Sequence, residues 1–188
     1  MFRFRRPTPD DAAMLLDWRK RPDVTRYMFT DVDHGVEEQR AWIARCEGRN
    51  DMRHFVIEHE GRPVGYLAFA QIDPVSRHCS TGHYFAEVED RRKLAGFMHA
   101  FIMDYCFHTL GMHKVVNSFM EGNEKVLKLQ SILHYRLVGI YKDHVYKYGR
   151  WHNVHVYEML SEEWEKHPHP FPRDITLAAY DPVPAPAG

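Results

Sequence analysis

The stretch RRKLAGFMHAFIMDYCFH, residues 91–108, carries Leu94, Phe97, Met98, Phe101, Ile102, Tyr105 and Cys106 at i, i+3, i+4, i+7, i+8, i+11 and i+12. That spacing returns to one side of a helix, so the segment reads as a long helix with a buried face. Gly111 stops it. The entrance is less ordinary. The charged run EDRRK, 89–93, leads straight into the apolar repeat, with Ala95 and Gly96 at the junction. Three cations at a helix N-terminus oppose its dipole, and a cluster placed against that preference hints at an anionic partner. The alternative is a solvated first turn of a buried helix.

Working outward, FRFRR (2–6) alternates as a short strand does. Thr8, Pro9, Asp10 and Asp11 open a helix carrying Met14, Leu15 and Trp18, and Pro22 ends it. Residues 24–29 read as a short irregular or helical piece, and 36–46 as a second helix. HFVIEHEGRPVGYLAFAQI (54–72) is a hairpin turning at 60–63. Residues 76–88 form a further strand in which Gly82 marks a bulge. KVVNSFM (114–120) is a β-branched strand, and Asn123 caps the helix after it. Residues 138–160 form a second hairpin turning at Tyr148-Gly149, and SEEWEK forms a final helical turn. The order predicts an α+β fold, a mostly antiparallel sheet with helices on both faces. The folded domain spans 1–166. The tail, 167–188, has six prolines in 22 residues and is expected to extend neither sheet nor helix, and either docks on the body or stays loose.

Bulk properties narrow the function. Lys and Arg number 25 against 26 Asp and Glu, which gives no electrostatic case for nucleic acid or an anionic membrane. No apolar run approaches the ~18 residues of a membrane span. FRFRR directly after Met1 is no signal peptide, and three isolated cysteines suit a reducing compartment, so a cytoplasmic location is expected. The 14 histidines are scattered, without the spacing of a metal site, so none is expected.

Several stretches together resemble the GNAT (Gcn5-related N-acetyltransferase) superfamily. They are FRFRRPTPDDAAMLLDWRKRPDVTRYM, GRPVGYLAFAQID and the run from Tyr105 to Leu160. The resemblance covers about residues 2–164. It is nearest the branch of ribosomal-protein N-terminal acetyltransferases and nucleotide-sugar N-acetyltransferases. WRKRPDVTRYMFT and the pair His134-Tyr135 lean toward the UDP-amino-sugar enzymes of the pseudaminic-acid pathway. It implies a sheet of about seven strands splayed at its centre, acetyl-CoA as donor and the amine of a small molecule as acceptor, most readily a nucleotide-linked amino sugar. A protein N-terminus as acceptor, an acyl-carrier protein as donor, a homodimer, and a non-transferring GNAT-like binding protein remain alternatives.

The resemblance also distributes roles. Tyr84, Phe85 and Ala86 line the thioester, largely through main-chain atoms. Arg91, Arg92, Lys93, Leu94, Ala95 and Gly96 form the pyrophosphate loop, although Asp90 and Lys93 stand where the family has a basic or neutral residue and a glycine. Asn123 matches the family asparagine that contacts the pantetheine or orders the site. Gln130 stands where a tyrosine commonly protonates the thiolate. Tyr135 is the remaining nearby phenol, at a position of core aromatics, and His134 replaces a usual glycine. Glu87 and His83 are the base candidates, with Glu87 expected on the sheet face of Phe85. Trp18, Arg26, Tyr27, His54 and Tyr66 are the candidates for the acceptor side.

Overall fold

The structure is a computed structural model and describes residues 2–167 and 171–180. Seven strands form one sheet in the order β1-β2-β3-β4-β5-β7-β6. They are β1 (Phe2–Arg5), β2 (Arg53–His59), β3 (Arg62–Asp73), β4 (His78–Phe85), β5 (Lys114–Met120), β6 (Arg136–Lys147) and β7 (Arg150–Leu160). Helices α1 (Ala12–Lys20), α2 (Pro22–Thr25) and α3 (Val36–Cys46) precede β2, α4 (Val88–Asp104) joins β4 to β5, and α5 (Glu124–Ile132) joins β5 to β6. Short helices α6 (Ser161–Trp164) and α7 (Arg173–Leu177) follow the last strand. All pairings are antiparallel except β4 with β5.

Alternation along the strands builds two layers. Phe55, Ile57, Leu67, Phe69, Phe85 and Val115 face α4 and bury Leu94, Phe97, Met98 and Phe101, the repeat that marked the helix in the sequence. On the opposite face Val56, Ala86 and Ile43 enclose Trp18, with Tyr66 and Tyr84 packed at the edge. The long helix closes through a wider π turn over Tyr105–Thr109.

Three expectations are corrected. The helix begins at Val88, so Glu89 and Asp90 occupy its first turn and suit its dipole. The electrostatic hint drawn from Arg91, Arg92 and Lys93 therefore lapses. Gly82 lies in unbroken register between Leu67↔His83 and Phe69↔Thr81, so no bulge occurs there. The tail docks on the body and, against expectation, forms a short helix. Its residues 173–177 are helical, Phe4 N–H donates to the Ala179 carbonyl at 2.7 Å, and Phe171 packs edge-on against Phe97. Two cysteines are also less isolated than their sequence spacing indicated, with Cys79 Sγ 3.5 Å from Cys106 Sγ in the core.

Candidate active site

The parallel pair β4–β5 is joined only at His78↔Lys114 and Cys79↔Val115, after which the strands separate. One side chain closes the vertex. Thr81 N–H donates to Asn117 Oδ1 at 2.8 Å, and Asn117 Nδ2 donates to Thr81 Oγ1 at 2.9 Å. A buried amide thus replaces the next rung of the ladder, satisfying a backbone donor that no strand neighbour reaches. Beyond it, even-numbered residues of β4 pair with β3, as Ala86 N–H does with the Val64 carbonyl at 2.8 Å. By alternation, the N–H and C=O of His83 and Phe85 point into the gap, where pairing with β5 has ended. These main-chain groups, flanking Tyr84, are the sequence-expected edge.

The face of the splay away from α4 opens into a cleft of about 560 Å³. Its floor is Ala70, Ser80, Thr81, Val116, Asn117 and Ser118, with Phe29, Tyr141 and His144 on its walls. The Phe29 wall belongs to the segment 25–31, which is clamped from two directions. Arg19 donates to Thr25 Oγ1 at 3.0 Å and to the Thr30 carbonyl at 2.7 Å. Lys147, buried on β6, donates to the Thr25 and Met28 carbonyls at 2.8 and 2.9 Å and pairs with Asp31 at 2.8 Å.

The sequence candidates are distributed unevenly around this frame. Glu87 lies beyond the end of β4, at the N-cap of α4, not on the sheet face of Phe85. It is exposed and paired with Arg21 at 2.8 Å, and the same guanidinium holds the Ala86 carbonyl at 2.9 Å. His83 shares the α4-side face with Leu67. Desolvation by the surrounding protein, then the Arg91 charge, pushes its pKa down to about 4, although its ring is open to solvent in the gap. Tyr135 is core. Its hydroxyl donates to Met103 sulfur at 3.4 Å, and burial pushes its pKa well above that of a free phenol, so it is no proton donor for the site.

At the helix mouth, Asp90 is buried and bound by Arg62 at 2.9 and 3.1 Å, which accounts for its charge without a ligand. Lys93 pairs with Glu89 at 2.8 Å, Arg91 lies 3.8 Å from Asp23, and Arg92 is exposed with no ion pair among the described residues. Leu94 is core and Ala95 is exposed. Gly96 sits two turns into the helix, where an added Cβ would touch Phe171 at 3.6 Å, so it belongs to the tail contact and not to a phosphate cradle. Asn123 occupies the N-cap of α5, but its side chain makes no capping bond and is left half-buried. Gln130 is buried, and its Oε1 has no donor among the described residues. His134 adopts φ of 62°, the conformation its glycine-like position requires, and stacks on His167 at 3.9 Å.

On the acceptor side, Trp18 is core and unavailable to a ligand. His54 and Tyr66 are hydrogen-bonded to each other, and burial pushes the imidazole down to about 4. Arg26 is exposed over the ring of Tyr27 at 5.2 Å, and Tyr27 packs against Met120, Val145 and Val154. None of these five lines the splay cleft. Its lining was missed because it comes from six segments separated in sequence. The available signal was the polar triplet Lys142-Asp143-His144, which interrupts an otherwise apolar strand.

An α+β sheet splayed at its centre, with open main-chain groups on one strand, a long helix starting at that strand's end and a cleft across the gap, is the frame of an acyl-CoA-dependent transferase. Comparison with known proteins agrees. Residues 2–135 match the acetyltransferase (GNAT) domain family. The chain is 22% identical over 160 residues to the uncharacterized N-acetyltransferase p20 of Bacillus licheniformis, covering 82% of this chain and 90% of that one. It is 23% identical over 137 residues to the acetyltransferase PseH of Campylobacter jejuni, covering 72% and 83%. Among solved structures, a spermidine N-acetyltransferase from Vibrio cholerae, in complex with CoA and spermine, superposes with a TM-score of 0.81 at 18% identity, over 87% of this chain and 98% of that one. The chain belongs to the GNAT family. It is an N-acetyltransferase, with acetyl-CoA as donor and an amine as acceptor. No helix among the described residues is long and apolar enough to cross a membrane.

Proposed function

We propose that this N-acetyltransferase acts on a small, hydroxyl-rich amine of the amino-sugar class, carried as a nucleotide-linked sugar, and not on a polyamine. The carrying observation is the chemistry of the cleft. Its lining offers hydroxyls and amides from Ser80, Thr81, Asn117, Ser118 and Gln71, and aromatic faces from Phe29 and Tyr141, but no carboxylate among the described residues. A polycation desolvated there would lack a counter-charge, whereas sugar hydroxyls pair with such groups and a base stacks on such rings. A volume of about 560 Å³ suits a ligand of that size. The similarity to PseH supports the same direction.

For the donor, the fit is good along the pantetheine arm. The open groups of His83 and Phe85 and the free amide of Asn123 suit its amides, and the unmatched Gln130 Oε1 suits an N–H donor. The phosphates would meet the first amides of α4, with Arg91 and Arg92 near and no glycine in the turn. The test is a thiol-release assay with acetyl-CoA and a panel of UDP-linked amino sugars, spermidine and a peptide with a free N-terminus. The expected result is a kcat/KM for one of the sugars at least about a hundredfold above that for spermidine, or about 2.7 kcal/mol. A preference for spermidine or the peptide overturns the reading.

A further inference from the structure

We infer that His144 is the group that takes the proton from the acceptor amine. The inference rests on the reading above, that the acceptor enters from the cleft side of the splay. It starts from a fault in the edge hairpin. Tyr141 pairs with Val154 and Val145 pairs with His152, so three residues of β6, Lys142 to His144, stand opposite the single Asn153 of β7. A regular ladder would place one residue there. The bulge is held in place: Asp143 takes φ of 47°, and its N–H donates to Asn153 Oδ1 at 3.0 Å. Bulges bend an edge and re-aim a side chain. Here the side chain is an imidazole, placed in the wall of the cleft whose floor holds Thr81 and Asn117, the vertex of the splay.

The cleft offers few rivals. Among its described lining residues only His144 and Tyr141 carry an ionisable group, and the two rings lie 4.8 Å apart. The bulge itself carries Lys142 and Asp143, both exposed. The clamped segment that supplies Phe29 carries Asp31, which is tied to Lys147. The other base candidates are elsewhere: Glu87 is paired with Arg21, and His83 faces α4. An imidazole is the side-chain type best suited to exchange a proton with an amine near neutral pH.

The step balances as follows. The ammonium gives one proton to an imidazole nitrogen of His144. The freed amine attacks the thioester carbonyl, the C–N bond forms and the C–S bond breaks. The nitrogen's second proton passes to the departing sulfur through solvent, and His144 returns its proton to bulk water.

The experiment compares the wild-type chain with H144Q and H144A, and with K142A as a control on the same bulge. It uses acetyl-CoA and the amine that turns over fastest in the panel above. Wild-type kcat/KM is expected to fall on the acid side, where the acceptor's proton has no neutral imidazole to receive it. H144Q should lose about a hundredfold, the usual scale of one general base. In H144Q that acid limb should vanish, leaving the rate to rise with the amine's own ionisation. Acetyl-CoA affinity by calorimetry should be unchanged, K142A should match wild type, and added imidazole should restore part of the H144A rate. Turnover by H144Q within threefold of wild type, with the same acid limb, overturns the assignment and leaves the acceptor reading standing. Absence of turnover with every amine, despite acetyl-CoA binding, overturns the acceptor reading first and this one with it.

Discussion

Replacing Lys147 with Met tests what shapes the proposed acceptor cleft. The ammonium has three N–H donors and meets three oxygens, the carbonyls of Thr25 and Met28 and the carboxylate of Asp31. Charge-assisted bonds of this kind contribute about 1.5–3 kcal/mol each. Against them stands the desolvation of the ammonium, several kcal/mol in a buried position. Methionine fills a similar volume and removes both effects together. Asp31 is 64% exposed, so its carboxylate returns to water at little cost. The two carbonyls are part-buried and lose their donor, which costs more. The net global loss is about 1–2 kcal/mol, or about 2–8 °C in Tm for a chain of this size.

The local consequence is larger than the global one. Without Lys147 the segment 25–31 keeps only its Arg19 bonds. Its amides should exchange with solvent faster, while those of β5 and β7 should not change. Phe29 then no longer walls the cleft in one position, and the acceptor KM should rise about tenfold, which is about 1.4 kcal/mol. On the donor placement proposed above, acetyl-CoA affinity should stay constant. Hydrogen exchange followed by mass spectrometry and steady-state kinetics read these two effects. If exchange across 25–31 and the acceptor KM both match wild type, the clamp does not shape the site.

Two further substitutions separate packing from chemistry. Gly96→Ala places a methyl at ordinary contact distance from Phe171 in an exposed helix interior, so it should stabilise the chain by about 0.5–1 kcal/mol through helix propensity. Acetyl-CoA affinity by calorimetry should be unchanged, and a clear weakening would return Gly96 to the phosphate cradle. Tyr135→Phe removes only a hydroxyl bonded to the Met103 sulfur, so kcat should stay within about twofold. A loss beyond about tenfold would restore Tyr135 as the thiolate's acid.

The elements that pack by period were legible, and the reason is local. Leu94 to Cys106 repeat every turn because one side of α4 meets the sheet, and the β-branched run in β5 is buried along one face. The start of α4 was misplaced because Glu89 and Asp90 read as a charged loop, whereas in the fold they are the acidic first turn a helix prefers. Asp90 looked like a departure from a phosphate-binding pattern only while its partner was unknown. Arg62 lies 28 residues earlier, and the sequence does not show that β3 brings it under the helix. The cleft was illegible for the same reason. Phe29, Ser80, Asn117, Tyr141 and His144 share no periodicity, and only the sheet order β3-β4-β5-β7-β6 assembles them. Even the triplet at 142–144 names an irregularity without saying which way its histidine turns.

The construction of the splay also explains why the cleft walls are held by charged bonds and not by apolar packing. On the α4 side the sheet is covered by aromatic and aliphatic side chains that leave no space, and this layer keeps β4 and β5 rigid on either side of their gap. On the other face the floor includes Ala70, Ser80 and Ser118, which are too small to fill the volume above them. A wall seated there by hydrophobic contact would need side chains that occupy the cleft. Arg19 and Lys147 avoid this by reaching the segment 25–31 from behind, one from α1 and one from β6, and binding its carbonyls. The wall is thereby fixed without being packed. Its inward residue, Phe29, can be exchanged at little cost to the core, so acceptor choice can vary on this scaffold while the donor edge of β4 and the Thr81–Asn117 vertex stay as they are.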